Sequence, residues 1–277
     1  MSFVTHDQNE LVWFTAPLLD GVRHGFSTRR GGVSPAPWDT LDLRFGCGDA
    51  PENVAENYRR LLGAVGAEPE RAVLSLQVHR DDVRLCKADD AGKGLFRERD
   101  YKAAALITAE RDLPLVVFSA DCGTVLLHDP DAGCVGAVHA GWRGCAAGIV
   151  EKTVREMVRL LGARPERILA ALGPCLGKCC FETDSAVPAA MRPLHRLPPR
   201  PLLVPPEDGG GPGRPGRRDL PLNFQPEDPA HEKKSSFCAP VPGVYPVHAD
   251  RLLVGSPHGL HGTAGPGNPG GTGRGSR

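Results

Sequence analysis

The chain has 277 residues, of which 33 are basic and 33 acidic, so its formal net charge is zero. This balance offers no basic stripe for nucleic acid and no acidic solvating tail. No apolar run approaches the ~20 residues of a membrane span. Asp7, Glu10 and Asp20 interrupt the opening residues, which therefore read as neither a signal peptide nor an anchor.

Nine cysteines is an odd number, and several lie in apolar runs. They fit the reduced thiols of a cytoplasmic enzyme better than a disulfide framework. In chain order, Leu11-Val12-Trp13-Phe14 and Val22-Arg23-His24-Gly25-Phe26 read as opening strands. Ser27-Thr28-Arg29-Arg30-Gly31-Gly32-Val33-Ser34 follows as a loop. Backbone N–H groups beside glycines, joined to the forks of Arg29 and Arg30, can hold an anion. An ordinary charged turn is the plainer reading of the same residues. A helix starts at Asp49-Ala50-Pro51, with Asp49 as cap and Pro51 in the first turn. Val54, Asn57, Tyr58, Leu61, Leu62 and Val65 keep helical spacing up to Gly66 and mark a packing segment. Ala72 to His79 reads as a strand that ends on a histidine. Residues 82–86 and Ala104 to Thr108 are two more strands, the second before a turn at Asp112-Leu113-Pro114.

Val116 to Gly144 organises the rest. Val116-Val117-Phe118 ends in Ser119-Ala120-Asp121-Cys122, Val125-Leu126-Leu127 ends in an Asp-Pro-Asp-Ala-Gly turn, and Cys134 to Val138 ends in His139-Ala140-Gly141-Trp142-Arg143-Gly144. Short apolar runs bounded by turn residues read as buried strands. Beyond Gly144 the pattern turns helical. Ala147, Ile149, Val150, Val154, Met157, Val158, Leu160 and Leu161 form an apolar stripe that stops at Gly162. Arg143 and Gly144 then lie at a helix N-terminus, where free N–H groups favour an anion. Ile168 to Leu172 is a strand, and residues 184–192 are a short helix. From Pro201 onward 29 of 77 residues are Gly or Pro, a composition of disorder or low complexity. Residues 1–192 thus read as one domain and 193–277 as a Pro/Gly-rich low-complexity tail.

His79, Cys122 and His139 each close an apolar run. Two imidazoles, a thiolate and an open position are a common way to hold catalytic zinc. Zinc lowers the pKa of bound water to about 7 and so supplies hydroxide at neutral pH. Asp121 could orient a ligand or move a proton, and Arg143 could hold an anionic group. The spacing of 43 and then 17 residues is no local metal signature, and buried structural Cys and His are the commoner case. Cys175, Cys179 and Cys180 could form a second site, but Cys-x3-Cys-Cys lacks the partner pair of zinc ribbons. His24 and His128 fit packing roles.

Gln77-Val78-His79, Ala120-Asp121-Cys122 and Val138-His139-Ala140-Gly141-Trp142-Arg143-Gly144 resemble the signature of the YfiH/laccase-domain-containing family. Ser27-Thr28-Arg29 with Gly31 to Ser34, Gly48-Asp49 with Glu52-Asn53-Val54, and Leu172 to Cys175 with Cys180-Phe181-Glu182 extend the resemblance over about residues 20–190. It implies an α/β (α+β) fold in one catalytic domain over residues 1–192, with mixed β-sheets layered with helices. It implies a zinc site at His79, Cys122 and His139. It also implies purine nucleoside phosphorylase activity on adenosine, inosine and methylthioadenosine, together with adenosine deaminase activity. The partners implied are a small-molecule nucleoside and phosphate. Phosphate candidates are Arg29, Arg30 and Arg143. The older polyphenol oxidase name of the family implies copper. A multicopper oxidase needs several centres rich in His-x-His pairs, and the ten histidines here include none.

The chain departs from the family in two places. Ala104 stands where members often have Asp before the Leu-Ile-Thr strand. After Pro193 the expected further strands, a Cys-Thr-x-x-Cys-like segment and an arginine-rich ending, give way to Pro and Gly. The hypothesis that fits is a frameshifted or misassembled tail, leaving a chain that is unstable or inactive despite intact ligands. Translating the other frames of the coding DNA tests it, and finding no family-like tail there sinks it. Two further readings compete. Cys122 as nucleophile with His139 as base would make a cysteine hydrolase or amidase, similar to deamidating toxins and to relatives that edit peptidoglycan precursors. A non-catalytic interaction protein with a disordered tail is the other.

Overall fold

The computed structural model describes residues 3–177 and 181–195. The tail from residue 196, and Cys179 and Cys180 of the second thiol cluster, lie outside the described residues. In chain order the strands are β1 (Val4–Gln8), β2 (Leu11–Thr15), β3 (Phe26–Ser27), β4 (Val73–Leu74), β5 (Val83–Leu85), β6 (Ala105–Thr108), β7 (Leu115–Val116), β8 (Gly123–Asp129), β9 (Cys134–Ala140) and β10 (Leu169–Leu172). The helices are α1 (Pro51–Ala64), α2 (Trp142–Ala146), α3 (Ile149–Leu161) and α4 (Ala186–His195). No described helix is long and apolar enough to cross a membrane.

The expected mixed α/β architecture is present as three sheets with helices packed on them. β1, β2 and β3 form an antiparallel sheet in that order. Its first turn, Asn9-Glu10, has positive φ at both residues, the twist a two-residue hairpin demands. β1 lacks an apolar signal because its burial pattern is almost wholly exposed. A second sheet has the order β10-β8-β9-β6-β5, with only β5 and β6 parallel. β4 and β7 make a separate parallel pair.

The β8–β9 turn is built on buried Asp129. Its carboxylate accepts the N–H groups of Asp131 (2.9 Å), Ala132 (3.1 Å) and Arg164 (2.8 Å). Burial pushes this carboxyl up, but the three donors outweigh it and hold it below the usual range. α3 lies across β9, β6 and β5 and buries Ile149, Thr153 and Met157. Gly136 on β9 admits it: a Cβ there would stand 3.2 Å from the Met157 sulfur. α1 buries Val54, Tyr58, Leu61 and Leu62 against Leu11, Trp13, Leu41, Leu43 and Leu74. The Asn57 side chain, also fully buried, donates to Ser34 Oγ (2.8 Å) and Asp42 O (2.7 Å) and accepts from Val33 N (2.8 Å). That ties the 33–42 loop to the helix with every polar atom satisfied.

Several boundaries differ from the sequence reading. The strand expected over Val22 to Phe26 is only Phe26–Ser27, because Val22 to His24 turn back on themselves through a His24 imidazole that accepts from Ala16 N (2.8 Å). Ala72 to His79 shrinks to Val73–Leu74, since β7 offers a partner edge only two residues long. The helix cap is Ala50 rather than Asp49, whose carboxylate instead accepts from Ala50 N and Asn53 Nδ2, each at 2.8 Å. The single helix expected after Gly144 is two, broken at Gly148 with φ +75°. Val158 and Leu160 of its stripe are more than a third exposed.

Candidate metal centre

Three elements bring the expected trio together. His139 sits one residue from the end of β9, opposite Thr124 of β8, and is anchored by its own N–H to Ala104 O at 2.8 Å. Cys122 immediately precedes β8, so the β8–β9 pairing sets it beside His139. His79 lies in the loop between β4 and β5, with a left-handed φ of +54°. A non-glycine residue there costs on the order of 1–3 kcal/mol and persists only where its surroundings enforce it.

Gln77 is part of that enforcement. Its side chain donates to Phe118 O (2.7 Å) and accepts from Phe118 N (2.5 Å). The carboxamide thereby prolongs the β4–β7 ladder by one step after the backbone strand has ended. It locks the loop carrying His79 to the loop carrying Cys122. The Ser119 hydroxyl closes the second loop by donating to the Cys122 carbonyl.

One ligand atom from each of His79, Cys122 and His139 lies within 4.8 Å of the others. The imidazoles meet edge to face at 5.1 Å. His139 is 3% exposed, and its Nδ1 has no hydrogen-bond partner among the described residues. Such an orphaned buried nitrogen costs about 1–3 kcal/mol and is what a metal ligand lacks without its metal. Gly141 completes the cradle. Its φ of −67° suits any residue, but a Cβ there would stand 3.1 Å from His139 Cε1 and 3.2 Å from Cys122 Sγ. The donor set, the orphaned nitrogen and the cleared space fit a borderline-soft transition metal with an open coordination position. It is the one cluster of three or more such ligands among the described residues.

Burial, and then the neighbouring His79, push His139 down to about 4, which leaves it a neutral ligand at pH 7. Burial, and then Asp121, Cys145 and Cys175, push the Cys122 thiol up. Both directions disfavour a preformed thiolate–imidazolium pair between Cys122 and His139.

The other predicted residues are more scattered. Asp121 is half-buried beside Cys122, and its carbonyl accepts from Leu176 N at 3.1 Å. Arg143 is exposed in the first turn of α2, with its guanidinium 4.1 Å from the Trp142 ring. Arg29 donates to Asp39 O at 2.8 Å, and the exposed Arg30 gives its N–H to Thr28 Oγ1. Beside the trio lies a cavity of about 260 Å³ whose wall includes His79 and His139 but none of those three arginines. Its cations are Arg44 and Arg99 and its aromatic faces Phe45 and Phe118. None of these four stands in a motif that sequence alone would single out. A larger cavity, about 660 Å³, lies between α1, β3 and the Asp112–Val117 segment and contains none of the trio.

Residues 23–198 match the family described as multi-copper polyphenol oxidoreductase laccase. The chain is 41% identical over 178 residues to purine nucleoside phosphorylase ORF3 of Streptomyces griseus, covering 64% of this chain and 69% of that one. It is 43% identical over 177 residues to a purine nucleoside phosphorylase of Deinococcus radiodurans, covering 64% of this chain and 65% of that one. The matched stretch thus spans about two thirds of these relatives. The crystal structure of YlmD from Geobacillus stearothermophilus superposes with a TM-score of 0.65 at 32% identity, over 72% of this chain and 74% of that one. In sequence and in fold, therefore, the chain belongs to the laccase-like YfiH family.

Proposed function

We propose that the chain is a zinc-dependent purine nucleoside phosphorylase acting on adenosine, inosine and methylthioadenosine, with adenosine deaminase as a second activity. The observation that carries this reading is the convergence of His79, Cys122 and His139 beside a cavity with both aromatic and cationic walls. The names of the Streptomyces and Deinococcus relatives support the same reaction class. In phosphorolysis the bond between the base and ribose C1′ breaks, a phosphate oxygen bonds to C1′, and the base leaves with a proton. In deamination water adds to the purine ring and ammonia leaves.

Zinc, when bound, supplies Lewis acidity and a water of lowered pKa. His79, Cys122 and His139 hold it, Gln77 keeps their loops in place, and Gly141 leaves the space. Asp121 is the proposed proton-handling group. Phe45 and Phe118 offer apolar faces of the kind a purine stacks on. Zinc is preferred to copper because a multicopper oxidase would need further histidine-rich centres.

The test measures metal content alongside hypoxanthine release from inosine, with and without phosphate, for the wild-type chain and His139→Ala. Stoichiometric metal lost in the variant, with phosphate-dependent release lost in parallel, supports the reading. Folded, metal-loaded protein that releases no base in phosphate refutes it.

A further inference from the structure

We infer that the 260 Å³ cavity beside the trio is an oxyanion subsite, in which Arg44 and Arg99 hold the phosphate co-substrate. This rests on the phosphorylase reading for the identity of the anion, but not for the existence of the subsite. Its described wall contains two guanidinium groups and no carboxylate. A concave wall of one sign focuses potential and concentrates counter-charge. Guanidinium forks match the geometry of phosphate oxygens.

Arg99 is built into place. Its stem runs over Gly94, where a Cβ would stand 2.7 Å from Arg99 Cδ. Gly94, at φ +90°, therefore serves the arginine as well as the turn. One guanidinium nitrogen donates to Ser75 O at 3.0 Å. That is one of five donors, and the bond fixes the fork beside the loop that carries His79. Arg44 lines the same cavity, following fully buried Leu43 and preceding Phe45. Its backbone is set by Arg44 N donating to Asp42 Oδ1 at 2.9 Å. Phe45 stacks at 6.1 Å and 10° on Tyr58, itself fixed by a 2.7 Å hydrogen bond to Leu43 O. The two cations thus line one cavity from anchored segments, with His79 and His139 in the same lining. Arg29, Arg30 and Arg143, although nearer to recognisable motifs, do not reach it.

The experiment titrates the full metal-loaded chain with inorganic phosphate, and separately with adenosine monophosphate, by calorimetry. Arg44→Met, Arg99→Met and Arg99→Lys are compared, each checked for its melting temperature. Phosphate affinity should fall roughly 10- to 100-fold in each Met variant and recover partly in Arg99→Lys, as expected for lost charged contacts. With inosine as substrate, the KM for phosphate should rise while the KM for inosine changes less. Unchanged phosphate affinity in folded Arg44→Met and Arg99→Met overturns the subsite, whatever the turnover. Binding of the nucleotide but not of free phosphate overturns the assignment to a co-substrate. Phosphate binding that needs both arginines, without nucleoside cleavage, keeps the subsite and fails the phosphorylase reading alone.

Discussion

Gly141→Ala separates metal binding from folding. The backbone at Gly141, φ −67° and ψ 157°, accepts an L-residue without strain. Removing a glycine at such a site stabilises by about 0.4–1 kcal/mol through the unfolded state. The added methyl, however, would stand 3.1 Å from His139 Cε1 and 3.2 Å from Cys122 Sγ, where ordinary contacts begin at 3.4 Å. Two of the three ligands must therefore give by a few tenths of an ångström. Metal–ligand distances tolerate only about 0.2 Å. Zinc affinity should fall roughly 10- to 100-fold, the range that disturbed outer-shell partners produce, or about 1.4–2.7 kcal/mol. The assay is zinc competition against a chromophoric chelator, with thermal melts of the metal-free protein in parallel. The metal-free melting temperature should stay level or rise slightly. Zinc affinity within about twofold of wild type would refute the reasoning, since an effect below the 10-fold expected of a disturbed shell means that the trio does not close around a metal at that face.

Gln77→Ala should weaken zinc by a similar factor, and it should also cost about 1–3 kcal/mol of stability because the Phe118 N–H and carbonyl lose their partner; chelator competition and urea unfolding would measure the two, and unchanged zinc affinity would show that the clamp does not position His79. His139 is held at about 4 in the folded metal-free chain, against 6.5 ordinarily. The unfolded state takes up the proton first, so this contribution is complete above pH 6.5 and about 3 kcal/mol is lost as pH falls toward 4. Urea midpoints across that window should fall more steeply for metal-free wild type than for His139→Gln, and equal slopes would contradict the burial argument. Met157→Ala should cost about 2–5 kcal/mol, because the side chain is fully buried between α3 and β9; calorimetric melting would check it, and a loss below about 1 kcal/mol would mean that the helix repacks.

What the sequence determined by itself was whatever a few consecutive residues control. The Asp129 to Gly133 turn between two apolar runs specified the β8–β9 hairpin. The spacing from Val54 to Leu62 specified the buried face of α1, and Gly162 specified the end of α3. The identities of His79, Cys122 and His139 were also legible, because each lies in a recognisable string. Their approach to within 4.8 Å was not, since the ligands are 43 and 17 residues apart and meet only through the β8–β9 register and the Gln77 clamp. The length of β4 was decided by its partner β7, not by its own apolar run. Arg44 and Phe45, Arg99, and Phe118 come from three loops with no common period, and only the tertiary structure makes them one wall. Local patterns reveal hydrogen-bonding and burial within an element, whereas a site assembled from distant loops exists only once the chain has folded.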